Sequence, residues 1–188
     1  MPKTLKIAIL GWGSLVWDPQ ELRIVKDWVK GGPDLPIELS RLSDKRGHLT
    51  YVIDERHERR SGTRFAVSRD KNLEDAIADL ACREGCAAQR IGFVVAESGE
   101  YRSRTKLYQG VKTWAQTSGF DAVLWTDLEP KFPGEWGVSQ AVKWWNTKLE
   151  PDRIEDAKTY ATRAPKEVDT DLRRRLVDEK LIPPAQGD

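Results

Sequence analysis

Apolar positions change rhythm several times along the chain, and each rhythm implies an element. From Lys6 to Leu10 the residues Ile7, Ala8, Ile9 and Leu10 follow one another without a polar break, the pattern of a strand covered on both faces. The run stops at Gly11-Trp12-Gly13-Ser14, where two glycines open backbone angles closed to other residues and turn the chain. Leu22, Val25, Trp28 and Val29 then recur at helical spacing. They predict a helix over residues 20–30 that covers the first strand, with Asp18 as N-cap, Pro19 in the first turn and Gly31-Gly32-Pro33 as the stop.

Ile37, Leu39 and Leu42 alternate with polar residues, and Leu49 to Ile53 repeats the alternation after Ser43-Asp44-Lys45-Arg46-Gly47, which predicts an antiparallel hairpin. Residues 54–62 are too charged to pack, and strand character returns from Thr63 to Ser68 through Phe65 and Val67, giving a second hairpin. Leu73, Ile77 and Leu80 mark a helix from an Asn72 cap to Gly85. Strands follow at Arg90–Ala96 and Glu100–Leu107, a helix at 109–117, and a last buried strand from Phe120 to Thr126. After the loop Glu129–Gly137 the character becomes helical. Ser139 caps a helix holding Val142, Trp145 and Leu149, Pro151 opens one through Ile154, Ala157, Tyr160 and Ala161, and residues 168–182 form a short amphipathic segment with Leu172, Leu176 and Val177. The end, from Pro183 to Asp188, is expected to fray.

Strands before residue 127 and helices after it define an α+β class. The expected organisation is a single domain over residues 1–188, with a mainly antiparallel sheet or small open β-barrel at 5–127 and a helical C-terminal extension at 138–182.

Composition narrows the function. Thirty-one Lys and Arg against thirty Asp and Glu leave a net charge of +1 over 188 residues, so no global field draws the chain to nucleic acid or an anionic membrane. Any charge recognition is local. The N-terminus leads straight into a strand without the apolar segment of a secretion signal, which sets the expectation of a cytoplasmic protein. Cys82 and Cys86 have no histidine near them in sequence, so no metal site is expected; they read as buried small hydrophobes. Arg56, His57, Arg59, Arg60 and Arg64 form the densest basic patch, either a solvated tip or a clamp for substrate carboxylates built around Arg59. Arg173-Arg174-Arg175 raises nucleic-acid binding, which the overall charge opposes.

The glycine turn offers backbone amides, the hydroxyl of Ser14 and the flat walls of Trp12 and Trp17 to a ligand. Its chemistry is not that of a nucleotide loop. The third glycine of a dinucleotide fingerprint and the Lys-Ser/Thr pair of a P-loop are both missing.

Two stretches, Trp12-Gly13-Ser14-Leu15 and Leu80-Ala81-Cys82-Arg83-Glu84-Gly85, together resemble the γ-glutamylcyclotransferase-like superfamily, with plant-type and ChaC-type members the nearest. The resemblance covers roughly residues 5 to 107 and rests on these short motifs. It implies a small barrel with surrounding helices, loop amides of residues 13–15 holding a γ-glutamyl group, and Glu84 as general acid/base. Trp12 stands where that family usually carries tyrosine, a difference that removes a phenolic hydroxyl.

The implied reaction needs one proton carrier and good positioning, without nucleophile, metal or cofactor. Substrate contacts are expected from Trp12, Gly13, Ser14, Leu15, Tyr51 and Arg59. Tyr51 and Trp125 also read as core aromatics. The alternative is a non-catalytic small-molecule binding domain of the same fold whose tail, rich in Trp144, Trp145, Tyr160 and Arg173 to Arg175, contacts a partner.

Overall fold

A computed structural model describes residues 4–185. In chain order its elements are β1 (Ile7–Gly11), α1 (Ser14–Trp17), β2 (Val29–Lys30), β3 (Ile37–Leu42), β4 (Leu49–Ile53), β5 (Arg64–Val67), α2 (Leu73–Glu84), β6 (Ile91–Val95), β7 (Tyr101–Arg102), α3 (Tyr108–Ser118), β8 (Ala122–Thr126), α4 (Val138–Thr147), α5 (Ile154–Arg163) and α6 (Asp171–Asp178). Short 3-10 turns precede β6 and α5. The class is α+β. The described residues divide into two compact units, one made of the chain up to Gly11, Asp18–Asp34 and Gly62–Leu128, the other of Trp12–Trp17, Leu35–Ser61 and the chain from Glu129. Among the described residues no helix is long and apolar enough to cross a membrane.

The first unit is an open six-stranded sheet in the order β2-β5-β1-β8-β6-β7. Only β1 and β8 run parallel; the other pairs are antiparallel. No closed barrel forms, because β2 and β7 remain as edges. The uninterrupted apolar run of β1 is explained by its central place: Ile7, Ala8, Ile9 and Leu10 are at most 1% exposed. Helices α2 and α3 pack on β6 and β8. Helix α2 buries Ala76, Ile77, Leu80 and Ala81, a stripe at helical spacing, and the Asn72 side chain accepts from the Asp75 amide at its start.

Four expectations are corrected here. Residues 20–30 do not form a helix. Val25 and Val29 are about half exposed, and the segment runs along β5: the Val25 amide donates to Val67 O, Arg69 N to Arg23 O and Gly32 N to Thr63 O. A chain satisfying the backbone groups of a sheet edge imposes no side-chain period of its own, so its apolar spacing imitated a helix. The strand from Thr63 forms no hairpin with the segment before it; β5 pairs with β1 and β2. The strand expected over Glu100–Leu107 shrinks to β7, since Ser103 Oγ and Thr105 Oγ1 accept from the Thr105 and Leu107 amides and replace the ladder locally. Cys82 is exposed and Cys86 half-buried, as position 82 lies outside the buried stripe of α2.

The second unit builds on the β3–β4 hairpin, with Ile37 opposite Ile53, Leu42 opposite Leu49 and a register shift between Glu38 and Arg41. Within it α6 packs on β3, α5 on β4 and on α1, and α4 on α6. Helix α4 starts two residues earlier than expected, from Gly137 as N-cap, so Ser139 lies inside it. Of the tail residues read as partner contacts, Trp145, Tyr160 and Arg173 are 5–6% exposed, Trp144 is half-buried, and Arg174 and Arg175 are exposed. Arg173 donates to the carbonyls of Thr162, Ala164, Pro165 and Val168, closing the C-terminal end of α5 where helix carbonyls lack partners. Of the tail expected to fray, Pro183–Ala185 carry no regular structure, and residues 186–188 lie outside the described residues.

Candidate functional site

In the second unit the glycine turn meets an aromatic group. Past Gly11 the chain bends at once, the Val16 amide donating to Gly13 O at 2.9 Å, and residues 14–17 close as α1. Trp12 and Leu15 are buried at 5% exposure and Ser14 is half-buried. The Trp12 indole N–H donates to Tyr51 O at 3.3 Å. Tyr160, from α5, stacks on Tyr51 with centroids 5.6 Å apart and meets Trp17 edge-on at 5.5 Å. Its hydroxyl accepts from the Tyr51 amide at 3.4 Å and lies 2.9 Å from the point where a Gly13 Cβ would stand. Trp12, Gly13 and Tyr51, singled out from sequence, are thus brought together, and Tyr160 completes the group. From sequence Tyr160 stood out by its helical spacing and, in the alternative reading, as a partner contact, and not as part of the turn.

The Tyr51 hydroxyl donates to Ala161 O at 2.9 Å, and burial pushes it far above the ordinary phenol range. Beside Tyr160 the His48 ring places Nε2 3.0 Å from Asp156 Oδ2 and Nδ1 2.9 Å from Leu49 O.

A second polar group in the same unit centres on His57. Glu38, 1% exposed on β3, accepts from the Leu39 amide at Oε1 and from the Asp171 and Leu172 amides at Oε2. Burial raises its carboxyl above the usual range, against the pull of these amides, the Thr170 hydroxyl and His57. Asp54, equally buried, is gripped by Arg56 through Nε at 2.8 Å and Nη2 at 2.6 Å. Burial works to raise that carboxyl too, but the guanidinium fork holds it below the ordinary value.

The His57 ring, 10% exposed, has Nδ1 3.7 Å from Glu38 Oε2 and 3.8 Å from Asp171 Oδ2. The Trp136 indole N–H donates to its Nε2 at 2.8 Å. Arg59 donates through Nε to Asp171 Oδ1 at 2.5 Å. A recess of about 610 Å³, lined by Arg56, His57, Glu58, Arg59, Arg60 and Asp171, opens over this group. Within the basic patch, Arg56 and Arg59 line this recess with their guanidinium groups tied to Asp54 and Asp171. Sequence reasoning missed Glu38, Asp54, Trp136 and Asp171. The one signal was Glu38 itself, an acid inside an apolar strand, which alternation assigns to solvent unless a second layer covers it.

Glu84 belongs to the first unit as the last residue of α2. Gly85 takes the left-handed conformation, φ 62°, and its amide donates to Cys82 O, a glycine C-cap. The carboxylate is 17% exposed and accepts from Arg83 Nη1 at 2.8 Å. Arg83 also donates through Nε and Nη2 to Asp18 O.

No family model, curated protein or solved structure matches the chain.

Proposed function

We propose that the protein is a γ-glutamylcyclotransferase-like enzyme, acting on a small γ-glutamyl compound and releasing 5-oxoproline. The observation that carries the reading is Tyr160. Tryptophan at position 12 deprives the glycine turn of the phenolic hydroxyl usual in that family, and α5 brings a phenolic hydroxyl back to the same turn, against Gly13. The form of the second motif adds support. Glu84 ends a helix closed by a left-handed glycine, and its carboxylate is largely enclosed and held by Arg83.

In this reading the α-amine of the substrate attacks its own γ-carbonyl carbon. The new C–N bond closes the five-membered ring, and the γ-amide bond breaks as the leaving amine takes a proton. The α-ammonium loses two protons in becoming the lactam N–H, and Glu84 relays them in turn to the departing nitrogen, which leaves as an ammonium, so the step balances without a co-reactant. Amides of residues 13–15 stabilise the charge that develops on the carbonyl oxygen; donors fixed in a turn do so without reorganising. The hydroxyl of Tyr160 positions the substrate. Arg59 is assigned to a substrate carboxylate.

The experiment is direct. The purified full chain is incubated with γ-glutamyl amino acids, amines and peptides, and 5-oxoproline is measured by chromatography. Turnover of at least one substrate is expected, with Glu84→Gln lowering it by about 10²–10⁴-fold at unchanged circular dichroism. Absence of 5-oxoproline across the panel, or full turnover by the variant, overturns the reading.

A further inference from the structure

The geometry points to a divalent metal site formed by Glu38, His57 and Asp171. These residues come from β3, the loop after β4 and the first turn of α6, and one ligand atom from each lies within 4.8 Å of the others. The spacing is the informative part. At 3.7 and 3.8 Å, Nδ1 is too far from either carboxylate for a hydrogen bond. It is nevertheless aimed between them on a ring that is nine-tenths buried, and no hydrogen bond reaches Nδ1 among the described residues. Three donors this close together reach a single first-row divalent ion after small shifts, since such ions hold nitrogen and oxygen ligands at about 2.0–2.2 Å.

Charge leads to the same place. Glu38, Asp54 and Asp171 gather around His57, while the guanidinium groups hydrogen-bonded to them are those of Arg56 on Asp54 and Arg59 on Asp171. Glu38 is met by backbone amides, the Thr170 hydroxyl and His57, none of them a fixed positive charge, and a cation beside it would offset a carboxylate buried at 1% exposure. An imidazole with two carboxylates suits a first-row divalent ion. The site keeps its remaining coordination positions toward the recess over His57 and Asp171, which gives an entry path and room for water or a substrate atom.

The surroundings carry a built-in reporter. With Trp136 donating to Nε2, the imidazole proton sits on Nδ1. Ligation requires the other tautomer, in which Nδ1 has given up its proton and binds through the lone pair so freed while Nε2 carries the proton, where an indole donor no longer fits. Asp54 Oδ2, 3.8 Å from Nε2 and anchored by Arg56, then becomes the acceptor. That is the carboxylate–histidine–metal relay by which proteins orient such ligands. Binding therefore displaces the Trp136 indole from its hydrogen bond.

The inference stands apart from 5-oxoproline release, and its test does not use activity. Full-length protein freed of metal with a chelator is titrated with Mn²⁺ and with Zn²⁺ by calorimetry, while tryptophan fluorescence is followed. One ion per chain is expected, with a fluorescence change that Trp136→Phe abolishes. Asp171→Asn, at a half-exposed position and with unchanged circular dichroism, weakens binding at least tenfold, and His57→Ala at least a hundredfold. Manganese separates this site from the thiols of Cys82 and Cys86, which favour zinc. Absence of saturable binding of either ion overturns the proposal, as does stoichiometric Mn²⁺ binding that survives both substitutions.

Discussion

The hydroxyl of Tyr160 occupies the space that a side chain at Gly13 would need: a Cβ at position 13 would stand 2.9 Å from Tyr160 Oη. Real Cβ atoms do not approach oxygen so closely. Tyr160 has little freedom to retreat, being 6% exposed and packed between Tyr51 and Trp17. Gly13→Ala is expected to cost about 1–3 kcal/mol, the range for overpacking a filled core. Removing the hydroxyl with Tyr160→Phe restores room, so the alanine costs less in that background. A double-mutant cycle by urea denaturation measures the coupling; equal costs in both backgrounds would show that the turn yields elsewhere.

The same argument applies with more force in the first unit. Gly92 on β6 faces Trp125 on β8 in register, and a Cβ there would come within 2.4 Å of the indole Cε2 and Nε1. Trp125 is 1% exposed and cannot swing out. Gly92→Ala is expected to destabilise by about 3 kcal/mol, and by clearly less when Trp125 is first replaced with Leu. Thermal unfolding of the four proteins decides the matter.

Arg173 lies at the first turns of α6 yet serves the end of α5, with four carbonyls accepting from its two Nη groups. A lysine keeps the charge but offers three donors on a single nitrogen in place of a planar fork. Arg173→Lys is expected to lose about 2–4 kcal/mol, since several buried carbonyls are left without donors. A denaturation midpoint unchanged within error would contradict the role assigned to the guanidinium.

Tyr51 links stability to alkaline pH. Burial keeps its hydroxyl protonated in the folded state far above the ordinary phenol range, whereas in the unfolded chain it ionises near pH 10. The unfolded state therefore releases a proton that the folded state retains. Tyr51 contributes stability that is fully present below about pH 10 and lost as pH rises beyond it. Tyr51→Phe forfeits the hydrogen bond to Ala161 O, about 1 kcal/mol at neutral pH. Its stability should then fall less steeply than wild type above pH 10. Denaturation midpoints of both proteins across the alkaline range provide the check, and parallel curves would refute it.

Elements whose signals are local were legible in the sequence. The apolar run of β1, the alternation of β3 and β4, and the Asn72 and Gly85 boundaries of α2 each follow from side chains a few residues apart, because burial on one face or at a cap dictates residue type there. Where the spacing had two meanings it misled. Leu22, Val25, Trp28 and Val29 recur like a helix, yet the segment is held by the backbone of β5, an interaction that leaves no mark on side-chain order. The candidate site shows the same division: Trp12, Gly13, Ser14 and Arg59 drew attention by type and neighbourhood, while Glu38 and Asp171 looked ordinary and Tyr160 was noticed only as a tail aromatic.

By its own order of residues the chain determined an α+β class, the turn after β1 and the glutamate closing α2. Tertiary structure alone decided that β5 pairs with β1, that Tyr160 faces Gly13, and that ligand atoms of Glu38, His57 and Asp171 lie within 4.8 Å of one another. Local pattern records which face of an element is dry. It does not record which distant element covers that face, because many partners satisfy the same apolar stripe and only the packing of the whole unit selects among them.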